Sequence, residues 1–479
     1  MLFLYSIGWG SGQGLDPDFG WHLRMGQVIL AHGVPHTDPF SYTMPSYPFV
    51  DHEWLTNVFI ATVYPLIGII GLIILFTSLA YIALLLQCSM SLKKAMLIPL
   101  ILCIGALSSY MGVRPQVISW VLFSLLLRIL LYKRAWRKFR FFLPLLFLFW
   151  VNAHGSFPIG IGIVTLFLSY TFWEKKKIQI IDIIILLFSI LVTFITPYGG
   201  RMWWEVWMQM SDNSLRWSIQ EWLPAFFFVN YYLLLFLPFS LVLIGYTWKK
   251  FSFLETGLYI LLLVFGLSSV RNIPFFLILA LPMTIRANMY FERTIATIPF
   301  AVQRFHKACG IYFFLISMVI LWQVVLPIVS HSTNFSASYY PKDATAYLQK
   351  HPSSGNIFSP YAWGGYLIWK LPQKKVFIDG RMPSWRRINA PFNESNNAFA
   401  ESNAIVSGKE QFSIAKKKYQ IDTVLLMNIP LEEKKSLPNI LSNFFHLNQE
   451  NLPYFIQQLQ KLRMKEVYRD KTAVIYRIE

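Results

Sequence analysis

Cysteine is scarce: the 479 residues contain three, Cys88, Cys103 and Cys309, all in or beside apolar runs. That excludes a disulfide framework, supplies no metal-ligand spacing, and leaves packing as their role. Charge is scarce as well, at 14% of residues, and acids (24) are outnumbered by Lys and Arg (42). Internal repeats and low-complexity tracts are missing. So is an H-E-x-x-H segment, which removes the common zinc-protease reading of "DHEWL" (51–55). No cleavable signal peptide stands at the start. "MLFLYSIG" has no basic stretch before it and is too short to span a bilayer, so it reads as the end of a truncated first helix.

What the chain has in quantity is apolar residues, 55% of the total, with a mean hydropathy of +0.46. Apolar spans lie near 69–89, 95–112, 116–132, 140–152, 156–173, 179–197, 224–247, 252–270, 271–286 and 309–330. Most are long enough to cross a bilayer as helices. With the truncated first helix they make about eleven. The predicted fold class is therefore mostly α: a polytopic helical bundle spanning 1–330, with a first outer loop at 9–56.

The net charge of +18 does not call for nucleic acid, because its distribution follows membrane topology. "SLKKA" (91–95), "YKRAWRKFR" (132–140), "WEKKK" (173–177), "WKK" (248–250) and the basic segment 286–307 alternate with loops holding single cations, Arg24, Arg114, Arg201, Arg216 and Arg271. The first set marks the cytoplasmic side. An odd helix number then places the N-terminus in the cytoplasm and the C-terminus outside. The expected location is a cell (plasma or inner) membrane. From residue 331 the composition turns polar and turn-rich, and "KKVFIDG", "IDTVLLMN" and "TAVIYRIE" read as strands among helical segments. Residues 331–479 are read as a soluble extracytoplasmic α/β domain of ordinary size.

On this reading every polar motif faces the outer surface, where such groups are costly and commonly functional. Asp16, Asp18, Asp38, Asp51 and Glu53 crowd one loop together with His22, His36 and His52. Phe19 to Leu30 reads as an interfacial helix, with Asp16 and Asp18 where an N-cap belongs. Those carboxylates cap the helix, or they take a proton from an acceptor or hold a divalent cation. Arg114 in "RPQ" and Arg271 in "VRN" snorkel, or they bind phosphate oxygens. Asn152 and His154 in "WVNAHGSF" cap and pack, or they hydrogen-bond a substrate sugar or phosphate. "RMWWEVW" (201–207) and "RWSIQEW" (216–222) read as amphipathic segments of an aromatic belt. In "YAWGGYLIWKLPQKKVFIDGRMPSW" (361–385), Trp363 and Tyr366 pack or offer ring faces to a sugar. Asp379 and Arg381 are expected at an exposed turn, paired with each other or in contact with substrate.

"DPDFGWHLRMGQVILAHG" (16–33) resembles the first outer loop of GT-C membrane glycosyltransferases, above all the D-P-x-F-x-[YW] stretch of oligosaccharyltransferase catalytic subunits. "YAWGGYLIW" is similar to the W-W-D-Y-G region of their outer domain, with Trp363 and Tyr366 matching its W and Y. The resemblance implies a transferase of the bacterial cell envelope that uses a polyprenyl-phosphate or -diphosphate sugar. Asp16, or Asp18 as second candidate, would serve as base or as ligand of Mg²⁺ or Mn²⁺. Arg114 and Arg271 would hold the donor phosphate, and His22, His52, Glu53, Asn152, His154, Trp363, Tyr366 and Arg381 would surround the substrates. Gly365 stands where the family's acid between W and Y would be. That departure favours a more general sugar transferase, akin to protein mannosyltransferases, acting on a glycan, lipid or protein hydroxyl. Two other classes fit the same composition: a transporter of lipid-linked glycans, and a non-catalytic membrane protein with an outer binding domain.

Overall fold

The computed structural model describes residues 16–88, 96–227, 230–295, 340–428 and 452–478. The truncated first helix, the basic segment 91–95, the apolar run 309–330 and Cys309 lie outside the described residues. The described chain is mostly helical with one small sheet near the C-terminus, as the composition predicts.

Two compact units share the chain. The first takes in 67–202 and 219–295 of the described residues. It is built from α3 (Leu97–Ser108), α4 (Gln116–Leu131), α5 (Leu143–Ala153), α6 (Phe157–Lys175), α7 (Ile180–Leu191), α9 (Tyr231–Thr247), α10 (Phe253–Ser268) and α11 (Ile273–Ile295). Nine of the ten apolar runs read from the sequence coincide with helices, including the last part of α2 (Trp54–Leu85). Four described helices are long and apolar enough to cross a bilayer: Trp54–Leu85, Phe157–Lys175, Tyr231–Lys250 and Val270–Thr294. A bent pair, Gln116–Leu131 with Arg134–Ala153, makes a fifth if it is one span. The chain is thus a multi-pass membrane protein. Leu97–Ser108, Ile180–Phe194 and Phe253–Ser268 are apolar but shorter than a full crossing.

Polar residues at the helix ends of this unit pair off. Arg140, just before α5, reaches Asp182 in the first turn of α7 at 2.7 Å. Ser252 caps α10 in a reciprocal box with Glu255, which also receives Arg286 from α11 at 2.5 Å. These pairs sit in or beside the basic loops that the sequence assigns to one membrane side.

The second unit contains residues 16–66, 203–218, 340–428 and 452–478, with most of α8 (Arg201–Ser211) and all of α12 (Lys342–Lys350). The first outer loop, read from the sequence as part of 1–330, therefore groups with the C-terminal segment. Its sheet runs β1 (Asn356–Phe358), β2 (Ile421–Met427), β4 (Ala473–Ile478), β3 (Met464–Arg469) in spatial order. β1 and β2 are parallel, and the other two pairings are antiparallel. "IDTVLLMN" and "TAVIYRIE" form strands as predicted. "KKVFIDG" does not: only Val376 bridges, to Ser41 and to Ile357.

Helix α1 (Phe19–His32) departs from the interfacial reading. Trp21, Met25 and Ile29, one helical turn apart, are buried in a core with Phe358, Trp363 and Ile378. Its apolar stripe is satisfied by protein rather than by headgroups. α13 (Gly364–Lys370) packs directly against α1.

Candidate functional site

The site is built at the start of α1. Asp16 Oδ1 accepts the Asp18 N–H at 2.9 Å, and the Asp16 carbonyl accepts from Phe19 N at 3.0 Å. Asp16 therefore closes the turn that launches the helix, a local side-chain bond typical of aspartate. Asp18 occupies the N-cap position but makes no capping side-chain bond. Its carboxylate instead lies against the "IDGR" turn. A Cβ added at Gly380 would fall 1.8 Å from Asp18 Oδ1.

Other glycines bring the same backbones together. A Cβ at Gly20 would sit 2.1 Å from the Gly365 carbonyl oxygen, and one at Gly365 would sit 2.3 Å from the Pro17 oxygen. Only glycine permits this approach. The "WGG" segment is thus seated on the Asp16–Pro17–Asp18 turn, and an acid at position 365 would push it off. Trp363 and Tyr366 are buried, so of the two readings, packing and ring faces offered to a sugar, both rings show packing. Tyr366 stacks on Tyr340 with centroids 4.8 Å apart.

Behind the turn lies a buried polar cluster. His22 Nδ1 meets Asn57 Oδ1 at 2.7 Å, and Asn57 Nδ2 donates to Asp51 Oδ2 at 2.8 Å. The Asn57 oxygen can only accept, so it fixes the proton of neutral His22 on Nδ1. Glu53 stands between two histidines, 3.6 Å from His22 Nδ1 and 3.6 Å from His52 Nε2. Burial pushes the His22 pKa below its ordinary value, although Glu53 and Asp16 pull it back up. Burial raises Asp51 to about 7, outweighing the Asn57 hydrogen bond that lowers it.

Arg381 forms a second buried cluster rather than the exposed turn expected from the sequence. Its guanidinium grips Asp379 through Nε at 2.8 Å and one terminal nitrogen at 2.7 Å, and that nitrogen also reaches Asp38 at 2.8 Å. Phe40, Phe49 and Trp385 stand 4.9, 5.1 and 5.3 Å from it. Burial opposes the charge, but the two carboxylates outweigh it and hold the Arg381 pKa above its usual range. So paired and enclosed, Arg381 ties the first loop to the C-terminal segment through side chains 2% exposed or less.

The remaining candidates lie in the membrane unit. Arg114 pairs with Glu221 at 2.6 Å, and Arg271 sits 4.4 Å over the Trp222 ring. Ser269 Oγ and Val270 N bond the carbonyls of Glu221 and Leu223. The two arginines, 157 residues apart in sequence, thus meet on one short turn, Gln220–Trp222. Glu221 already neutralises part of that charge. His154 is buried and bonds Ser119 Oγ at 2.9 Å, while Trp150 Nε1 donates to the same hydroxyl at 2.8 Å. Asn152 donates to the carbonyls of Leu148 and Ile195, tying two helix ends together.

Among the described residues no three His, Cys, Asp or Glu side chains are grouped to hold a metal ion. Asp16, turned back on its own helix, and Asp18, turned to Gly380, supply no such donor set for Mg²⁺ or Mn²⁺ between them. Asn57 has no local mark of its bridging role beyond being a polar residue that enters an apolar run. Gly20 and Gly380 carried none.

No family model and no curated protein matches the chain. Among solved structures, the crystal structure of ArnT from Cupriavidus metallidurans bound to undecaprenyl phosphate aligns over 99% of this chain and 96% of that one. The identity is 11% and the TM-score 0.49. At that distance the likeness gives no residue of this chain a role.

Proposed function

We propose that the protein is a membrane glycosyltransferase that moves a sugar from a polyprenyl-phosphate or -diphosphate donor to an acceptor at the extracytoplasmic face. The observation that carries the reading is the seating of the Asp16–Pro17–Asp18 turn. This polar loop is fixed at backbone distance against "WGG" and "IDGR", with buried titratable groups directly behind it. A loop that only linked helices would not need such preorganisation. The resemblance of 16–33 and 361–366 to GT-C enzymes falls on the same two segments.

In this mechanism Asp16 is the base, with Asp18 as the alternative, and withdraws the acceptor proton as the new glycosidic bond forms. The bond from the anomeric carbon to phosphate oxygen breaks with its electron pair going to the phosphate. Arg114 and Arg271 stabilise that charge. The donor's hydrocarbon tail explains why the catalyst is itself embedded in the bilayer. The test is to incubate the purified protein in nanodiscs with a panel of labelled polyprenyl-phosphate sugars and acceptor glycans, lipids and peptides. Release of free polyprenyl phosphate coupled to sugar transfer is expected. Lipid passage across the bilayer without bond cleavage would instead make it a transporter.

A further inference from the structure

We propose that His22, Glu53 and His52 form a proton-exit path that carries the acceptor's proton from the first-loop carboxylate to water. The inference rests on the glycosyltransferase reading and deepens it. Asp16 is half-buried with its Oδ2 shielded from solvent, and a base there takes up one proton per turnover that it must lose before the next. The route is visible in the burial gradient. The side chains of His22 and Glu53 are 4% and 5% exposed, whereas that of His52 is 22% exposed. Glu53 presents one oxygen to each histidine, both at 3.6 Å, a gap that a small side-chain movement or one water closes.

The tautomer gives the path a direction. Because Asn57 holds the His22 proton on Nδ1, the nitrogen left to receive a proton is Nε2. A proton gained at Nε2 lets the one on Nδ1 leave, and Nδ1 is the atom that faces Glu53. The acceptor O–H bond breaks to Asp16, which passes its proton to His22 Nε2 as the Nδ1 proton leaves through Glu53 and His52 to solvent; the ring then turns to present its remaining N–H to Asn57 again, with no net charge left in the site. The groups that set this balance are Asp16 ahead of α1, Asp51, His52 and Glu53 in the loop before α2, and Arg381, whose charge acts on Asp51. These three are proton-relay residues, not groups that touch the sugar.

The test uses the full chain in nanodiscs, with Glu53→Gln, which keeps the shape but cannot take up and pass on a proton, and His52→Ala at the exposed end. In Glu53→Gln the kcat should fall at least ~10-fold with KM for the donor unchanged and an altered pH–rate profile. The His22 titration, followed by histidine NMR, should move down as the Glu53 charge is lost. His52→Ala should be slowed and restored by added imidazole. An unmoved His22 titration, or variants with full kcat and the wild-type pH profile, would overturn the relay. A wild-type protein that transfers no sugar would overturn the glycosyltransferase reading itself, and the relay with it.

Discussion

At the scale of single residues, burial decides which polar groups are poised to react. Asp51 is held at about 7 by desolvation, against an ordinary value of 3.8, so the folded state takes up a proton more readily than the unfolded chain. Its contribution to stability is full below about pH 4 and is lost as pH rises through about 7. His22 has the opposite sign: its lowered pKa favours the neutral ring, a contribution present above 6.5 and lost on acidification. Asp51→Asn removes the titration but keeps one oxygen where Asp51 has two, so it serves either the Glu53 N–H or Asn57 Nδ2 and loses the other bond at every pH. Whatever its offset at low pH, the variant should gain stability relative to the native protein as pH rises from 5 to about 7, by about 2.7 kcal/mol for two units at 1.36 kcal/mol each, read from melting temperatures at each pH. Equal shifts of both proteins across that range would refute the assignment. Gly380→Ala tests the neighbouring turn. Its methyl would occupy the place of Asp18 Oδ1, so the Asp18 carboxylate must swing away. Transfer should fall on the order of 10–100-fold with little change in melting temperature, because the displaced atom ends a flexible side chain.

At the scale of elements, the junction of α1 with α13 organises the second unit. Gly20→Ala pushes a methyl onto the backbone carbonyl of Gly365 rather than onto a movable side chain. Calorimetry in detergent should register a loss of about 1–3 kcal/mol, the usual cost of overpacking, and an unchanged transition would contradict the packing described. The existence of both helices was partly legible: "DPDFGWHLRMGQVILAH" has caps and a loose helical stripe. What the stripe faces was not legible, since Trp21, Met25 and Ile29 suit headgroups and a protein core equally well. The same ambiguity hid Trp363, Tyr366 and Arg381. An apolar residue near a turn reads as open or packed depending on a partner more than 300 residues away, as with Trp21 and Trp363. The long apolar helices were legible because their signal is local: length and composition alone distinguish them.

At the scale of the whole molecule, sequence and structure agree on a multi-pass helical protein with a small C-terminal mixed sheet. The charge bias predicts sidedness: reporters inserted at 132–140 and 173–177 should read as cytoplasmic, and reporters beside residue 16 and after 340 as external. Opposite locations for the last two would separate the segments that the site joins. Arg114→Ala and Arg271→Ala should each raise KM for the donor ~10-fold or more if the turn at Gln220–Trp222 serves the leaving phosphate. The most direct measurement is turnover of a labelled polyprenyl-phosphate sugar by Asp16→Asn, alongside its affinity for the same lipid. The account predicts that transfer is lost by a factor on the order of 10² or more while the lipid still binds. Undiminished transfer by both Asp16→Asn and Asp18→Asn would contradict it.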